Sequence, residues 1–268
     1  ADILEIHTGE FANARSEDEV AQAAVNTARE ERRALELRLE TMLRLHNSLT
    51  GYDAGVRAVL NTSRSGSLKG VVGTVASLVR VPPEYEAAIG AALGNHEQDI
   101  VMESWQAAEA AVEHLRQTRS GRATFLRPYV VWGRERMNQI PDGSWAAGVI
   151  GVDERYRPIV SYLLGRVLIV RDLAVARRIL SLPAMRSVAS IVTLAGDIVR
   201  PGGAITGGSP TVRSSGLLER ERELAELPGR ISTAQTNEQT LQQKRTAAQT
   251  RLRQAEERLV ALDGRLAA

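Results

Sequence analysis

The two ends of the chain repeat their apolar residues at helical spacing, and the middle does not. From Ala12 to Leu49 there is no proline or glycine, and Ala, Glu, Arg and Leu dominate, the composition of a long exposed helix. In its second half Leu35, Leu39, Met42 and Leu49 recur at heptad spacing, with His46 at the seam position between them, so a narrow stripe is expected along one face. At the other end Leu224, Leu227, Ile231, Ala234, Glu238, Leu241, Arg245, Ala248, Leu252, Ala255, Leu259, Leu262 and Leu266 alternate three and four residues apart without a slip. A continuous helix of that length spans about 64 Å, and so narrow a stripe needs another helix to cover it. Pro228 removes a backbone donor near the start of this run, so a break or kink is expected there, with the regular coil beginning after it.

Between these arms, Gly51 to Gly216 holds most of the glycine and alternates short β-branched runs with helical stretches, an α/β pattern. Strands are expected near Gly70 to Val79, Gln98 to Glu103, Ala123 to Leu126, Gly148 to Val152, Val167 to Arg171 and Ser190 to Leu194. Helices are expected over Pro83 to Leu93, Ser104 to Arg119, Pro158 to Leu164 and Leu173 to Leu182. Tyr129 to Trp145 contains Gly133, Pro141, Asp142 and Gly143, shows no clear period, and reads as a linker. The expected divisions are an arm over 1–50, a first subdomain over 51–128, a linker over 129–147, a second subdomain over 148–216 and an arm over 217–268. Ends of compact domains often lie close together, so the arms can pair antiparallel with each other; two independent surface helices are the alternative. Both arms stop in mid-coil, so the chain is expected to be a fragment of something longer.

Composition narrows the function classes. The chain has no cysteine, which removes disulfide scaffolds, thiolate metal sites and cysteine nucleophiles, and a cytoplasmic address is expected. The longest uncharged apolar stretch, Gly70 to Val79, falls far short of the roughly 20 residues of a membrane span. Only Lys69 and Lys244 are lysine, so the basic residues are almost all arginine. Gly51 to Gly216 carries 19 Arg plus Lys against 14 Asp plus Glu, whereas the arms carry 15 against 18, so the positive excess belongs to the middle. Arg116, Arg119, Arg122 and Arg127 form one basic cluster, and Arg177, Arg178 and Arg186 another. Such clusters can meet phosphates through a sequence-independent, salt-sensitive attraction, or can simply be a solvated arginine face.

Enzyme signatures fail on inspection. Gly203 and Gly208 have the spacing of a phosphate loop, but Ser209 and Pro210 stand where that loop needs Lys and then Ser or Thr. The four histidines, His7, His46, His96 and His114, form no His-Glu-x-x-His pair, and no Gly-x-Ser-x-Gly elbow occurs. Glu97 and Asp99 could do acid/base work, but a solvated lead-in to a strand is the expected role. No catalytic residue, metal, cofactor or small-molecule substrate is therefore expected.

What stands out is SIVTLAGDIVRPGGAITGGS, Ser190 to Ser209: a strand, a tight Ala-Gly-Asp turn, a second short strand, then Gly202, Gly203, Gly207 and Gly208 around Ala204, Ile205 and Thr206. Glycine permits positive φ and close backbone approach, while the β-branched pair between the glycines suggests extended structure able to add to a sheet edge. Together with GYDAGVRAVL from Gly51, GVVGTVASLVRVPPEYEAAIGAALG from Gly70 to Gly94, GRATFLRP from Gly121 to Pro128 and LLERERELAEL after the glycines, the whole chain resembles the hinge domain of the structural maintenance of chromosomes (SMC) proteins, most like the bacterial kind. Pro228 departs from that pattern, since the family usually continues its helix there.

The resemblance implies an α/β (α+β) fold of two similar subdomains flanked by an antiparallel intramolecular coiled coil. It implies a non-catalytic, two-fold homodimer in a chromosome condensation and segregation complex at the nucleoid, with ATPase heads far away on the full-length protein. By the same implication Gly202, Gly203, Gly207 and Gly208, with Ile205 and Thr206, lie in or beside the dimer contact. DNA is a further expected partner, touched weakly and without sequence preference by Arg116, Arg119, Arg122, Arg127, Arg177 and Arg178. Two rival readings remain: a DNA-binding module without a dimer role, and a nucleotide-using α/β enzyme domain.

Overall fold

The computed structural model describes residues 2–128, 142–181, 188–208 and 216–266, so Arg186, Ser209, Pro210 and most of the expected linker lie outside the described residues. The chain divides into two units, one of residues 1–44 and 223–268, the other of residues 45–222.

The first unit is made from two long helices, α1 (Asp2–Asn47) and α9 (Gly216–Leu266). On α9 the sheltered positions are the expected seam, with Leu227, Ala234, Ala248 and Ala255 buried. On α1 the stripe runs further than expected: Phe11, Ala14, Asp18, Ala21, Val25 and Ala28 continue the alternation of three and four toward the N-terminus. Ion pairs fix the direction of pairing. Arg38 meets Glu223, Arg29 and Arg32 meet Glu238, and Glu17 meets Arg251, so one number falls as the other rises and the helices are antiparallel.

The expected break at Pro228 is absent, and α9 is helical through it. Proline and the following Gly229 cost an interior helix about 3 and about 1 kcal/mol. Against that, Leu227 is 1% exposed, and ion pairs to α1 stand on both sides of the proline, at Glu223 and at Glu238.

The second unit contains two sheets and repeats one order of elements. The first pass is β1 (Val71–Thr74), α3 (Val75–Leu78), a 3₁₀ turn (Pro83–Tyr85), α4 (Glu86–Leu93), β2 (Ile100–Met102), α5 (Trp105–Thr118) and β3 (Phe125–Leu126). The second is β4 (Gly143–Trp145), α6 (Ala146–Val149), a 3₁₀ turn (Glu154–Tyr156), α7 (Arg157–Leu164), β5 (Val167–Val170), α8 (Leu173–Leu180) and β6 (Ser190–Thr193). In each, the first strand pairs antiparallel with the second, and the second pairs parallel with the third across a helix. Arg80 and Gly151, at equivalent points of the two passes, bond to each other's backbone at 2.7 and 2.9 Å.

Three differences separate the passes. The first is preceded by α2 (Ala54–Arg64), and it has an extra 3₁₀ turn (Gly94–Gln98) before β2. The second continues past β6 into β7 (Ile198–Val199) and β8 (Ile205–Thr206), so the sheets have the orders β1-β2-β3 and β4-β5-β6-β7-β8.

Burial follows the two-residue period of a strand. Val167, Ile169 and Val192 face the larger core, shared with Ile89, Leu93, Ile100 and Met102 of the first pass. Leu168, Val170 and Ile191 face a second cluster under α8 with Val175 and Ile179. Each fully buried Leu or Ile contributes roughly 1.5–3 kcal/mol. Both faces of β5 and β6 are therefore covered, which is why these strands read as unbroken apolar runs.

Several expected boundaries are corrected. The strand expected to reach Val79 stops at Thr74, because Thr74 and Ser77 form a reciprocal capping box that starts α3. The strand expected over Gly148 to Val152 is the end of α6 followed by the single bridge at Gly151. The linker expected through 147 gives way to β4 and α6, because Gly143, Ser144 and Trp145 find partners on β5.

Candidate functional site

The glycine-rich segment is the outer hairpin of the larger sheet. Thr193 and Asp197 close the turn after β6: the Thr193 amide donates to the Asp197 carbonyl at 2.9 Å, and the Asp197 amide donates to the Thr193 hydroxyl at 3.0 Å. Gly196 makes that turn with φ +91°, its Cα packed beside the Ala87 carbonyl. β7 and β8 then pair antiparallel, Ile198 with Thr206 and Val199 with Ile205, around a turn in which the Gly203 amide donates to Arg200. Gly203 has φ +88°, which favours glycine there.

Beyond β8 the sheet has no further strand among the described residues. Residues 201–208 are all exposed, and Ile205 is 65% exposed. A Cβ placed on Gly202, Gly203 or Gly208 would meet nothing within 4 Å. Gly207 differs: a Cβ there would stand 2.3 Å from Asp197 Oδ1, so its missing side chain already serves the turn within its own chain. The expected contact residues thus share one hairpin, with an apolar β-branched side chain and bare backbone on its open edge.

The arginines form two separate groups. Arg116 lies in the last turn of α5 with its side chain 75% exposed, Arg119 caps that helix at φ +50°, and Arg122 and Arg127 flank β3. Arg177 and Arg178 are exposed on α8, and Arg178 is paired with Asp142.

The structure overturns the solvated role expected for Glu97 and Asp99. Glu97 is 3% exposed, within the extra turn before β2, and Asp99, which caps that turn, is 5% exposed. Burial pushes the Glu97 carboxyl up to about 8, and its Oε1 has no hydrogen-bond partner. Burial also raises Asp99, opposed by a hydrogen bond to His96 at 2.6 Å. The Asp99 carbonyl accepts from Val75, which ties this turn to the start of α3. Nothing in the sequence signals this burial, because the turn is as polar as a surface loop. No group of carboxylates and histidines able to hold a metal ion occurs among the described residues. No helix among them is long and apolar enough to cross a membrane.

Comparison with known proteins decides the family. Residues 68–180 match the flexible hinge domain of SMC proteins. A solved structure described as an asymmetric dimer of the Geobacillus stearothermophilus SMC hinge domain is 32% identical, covers 92% of this chain and 99% of its own, and superposes with a TM-score of 0.77. The chain belongs to the SMC hinge family. A hinge from Pyrococcus furiosus with an extended coiled coil is 26% identical, covers 97% of this chain and 99% of its own, and has a TM-score of 0.50. The chromosome partition protein Smc of Desulfitobacterium hafniense is 34% identical over 93% of this hinge, and the chain spans about a fifth of that relative's length (21%).

Proposed function

We propose that this hinge holds two copies of its chain together and so joins two arms of a cytoplasmic protein that partitions chromosomes at the nucleoid. The observation that carries the reading is the open edge at β8, with Ile205 65% exposed between backbone positions where a side chain would meet nothing. Exposed apolar edges recruit further strands, and natural sheets normally blunt them. In a two-fold dimer one such edge covers the three-stranded sheet of the partner copy, and the symmetry operation makes the contact twice. The related Geobacillus hinge, described as a dimer, supports the same reading. Gly202, Gly203, Gly208, Ile205 and Thr206 lie at the contact, and Gly207 supports the hairpin from within.

Subunit exchange tests this. Two differently tagged copies, purified apart and mixed, should co-purify, and Ile205→Glu in both should abolish the exchange. Tagged copies that never mix would refute the role.

A second, weaker activity rests on the exposed arginines at the end of α5 and on α8. Arg116, Arg119, Arg122, Arg127, Arg177 and Arg178 attract nucleic-acid phosphates without reading sequence. Binding to duplex DNA should weaken steeply as salt rises and should drop when Arg116, Arg119 and Arg122 become Gln. Affinity indifferent to salt would remove this activity.

A further inference from the structure

The long helix α9 carries its least helical dipeptide, Pro228–Gly229, inside the paired rod. Pro228 cannot donate to the carbonyl of Leu224, and a Cβ on Gly229 would meet nothing within 4 Å, so this turn lacks a backbone hydrogen bond and its outer face is open, while Leu227 packs inward. The opposing helix α1 has no proline, so the weakened turn belongs to α9. Ion pairs from α1 reach α9 on both sides of the proline. Five residues before it, Glu223 accepts from Arg38 Nε at 3.0 Å and Nη2 at 2.6 Å, a two-pronged contact. Ten residues after it, Glu238 accepts from Arg29 Nε at 3.0 Å and Arg32 Nε at 2.7 Å, while Arg32 also donates to Glu36 at 2.6 Å. Glu238 and Arg32 both occupy seam positions, where apolar residues would otherwise sit.

We infer that Pro228–Gly229 is a built-in joint of the arm, held helical by two charge clamps, Arg38–Glu223 and Arg29/Arg32–Glu238. Releasing the clamps frees α9 to bend at the proline, while Leu227 and the rest of the seam keep the helices associated. The device is conformational: it lets one short stretch of the rod change direction without unzipping the coil.

Spin labels on exposed Glu219 and Thr240, each changed to Cys in this cysteine-free chain, bracket the joint on α9. A straight helix puts their Cα atoms about 32 Å apart. At low salt the distance distribution should be narrow. Glu223→Gln with Glu238→Gln should broaden it toward shorter distances, as should about 1 M salt, where the screening length falls to about 3 Å. Pro228→Ala in the same double variant should restore the narrow distribution. Amide exchange gives an independent reading: residues 229–235 of the double variant should exchange on the order of tenfold faster than residues 248–255, and Pro228→Ala should remove the difference. A distribution and exchange pattern indifferent to the charge changes, or left broad by Pro228→Ala, would overturn the joint.

Discussion

The two passes of the globular unit share a plan and differ in where they end. The first closes at β3, after spending its extra residues on α2 and on a 3₁₀ turn that buries a carboxyl. The second runs on into the β7–β8 hairpin and leaves Ile205 in the open. One repeat has thus been elaborated inward, into the core, and the other outward, into solvent. At the outer hairpin a Cβ on Gly202, Gly203 or Gly208 would meet nothing within 4 Å. At Gly55 of the inner elaboration, by contrast, a Cβ would lie 2.2 Å from the carbonyl oxygen of Arg122 in its own chain.

The difference can be broken at either end. The largest effect is expected at the outward element: Ile205→Glu should weaken self-association by on the order of a hundredfold or more, read by dilution in analytical ultracentrifugation, with circular dichroism unchanged. On the inward side, Glu97→Gln should abolish a pH dependence of stability. The folded-state pKa is raised from 4.5 to about 8, so the stability of the protonated form is fully present below pH 4.5 and is lost as pH rises through about 8. Denaturation curves should show the parent losing stability across that window, on the order of a few kcal/mol, and the Gln variant should lose most of that slope. Equal slopes for the two proteins would remove Glu97 as the cause.

Smaller effects sharpen the contrast between glycines. Gly55→Ala should cost about 1–3 kcal/mol in urea unfolding, since backbone stands where its Cβ would go. Gly202→Ala, with nothing within 4 Å, should leave stability almost unchanged. The smallest effect belongs to Glu238, whose carboxyl is held below the ordinary range by hydrogen bonds from Arg32 and then Arg29. Its stabilising effect is present above the ordinary carboxylate pKa of 4.5 and is lost as pH falls through the lowered value, so Glu238→Gln should be felt at neutral pH and vanish in acid melts.

Much of this architecture was legible because it is periodic. The α9 seam was readable residue by residue, and β2, β5 and β6 were readable as apolar runs. The N-terminal half of the α1 stripe was hidden because Ala14, Ala21 and Ala28 are small and Asp18 interrupts them. β4 was missed because Gly143–Trp145 has little strand character of its own and takes its shape from β5. α3 was read as strand because Val75 and the flanking Val72 and Val79 are β-branched, and the Thr74–Ser77 cap overrides that preference. The repeat survives in such pairs as Ala76, Val81, Tyr85, Ile89, Leu93 and Gly94 against Ala147, Val152, Tyr156, Val160, Leu164 and Gly165, too sparse a pattern to see without the folds overlaid. At the site, the glycines and Ile205 were singled out by composition, whereas the separate duty of Gly207 toward Asp197 depends on a turn only the fold reveals.

The most direct measurement is sedimentation equilibrium of the unaltered chain at micromolar concentration. A mass near twice 29.1 kDa is the predicted result, collapsing to 29.1 kDa when Ile205 becomes Glu. A parent protein that stays at 29.1 kDa, or a variant that remains paired, would contradict the assignment of the β8 edge as the surface that joins two copies.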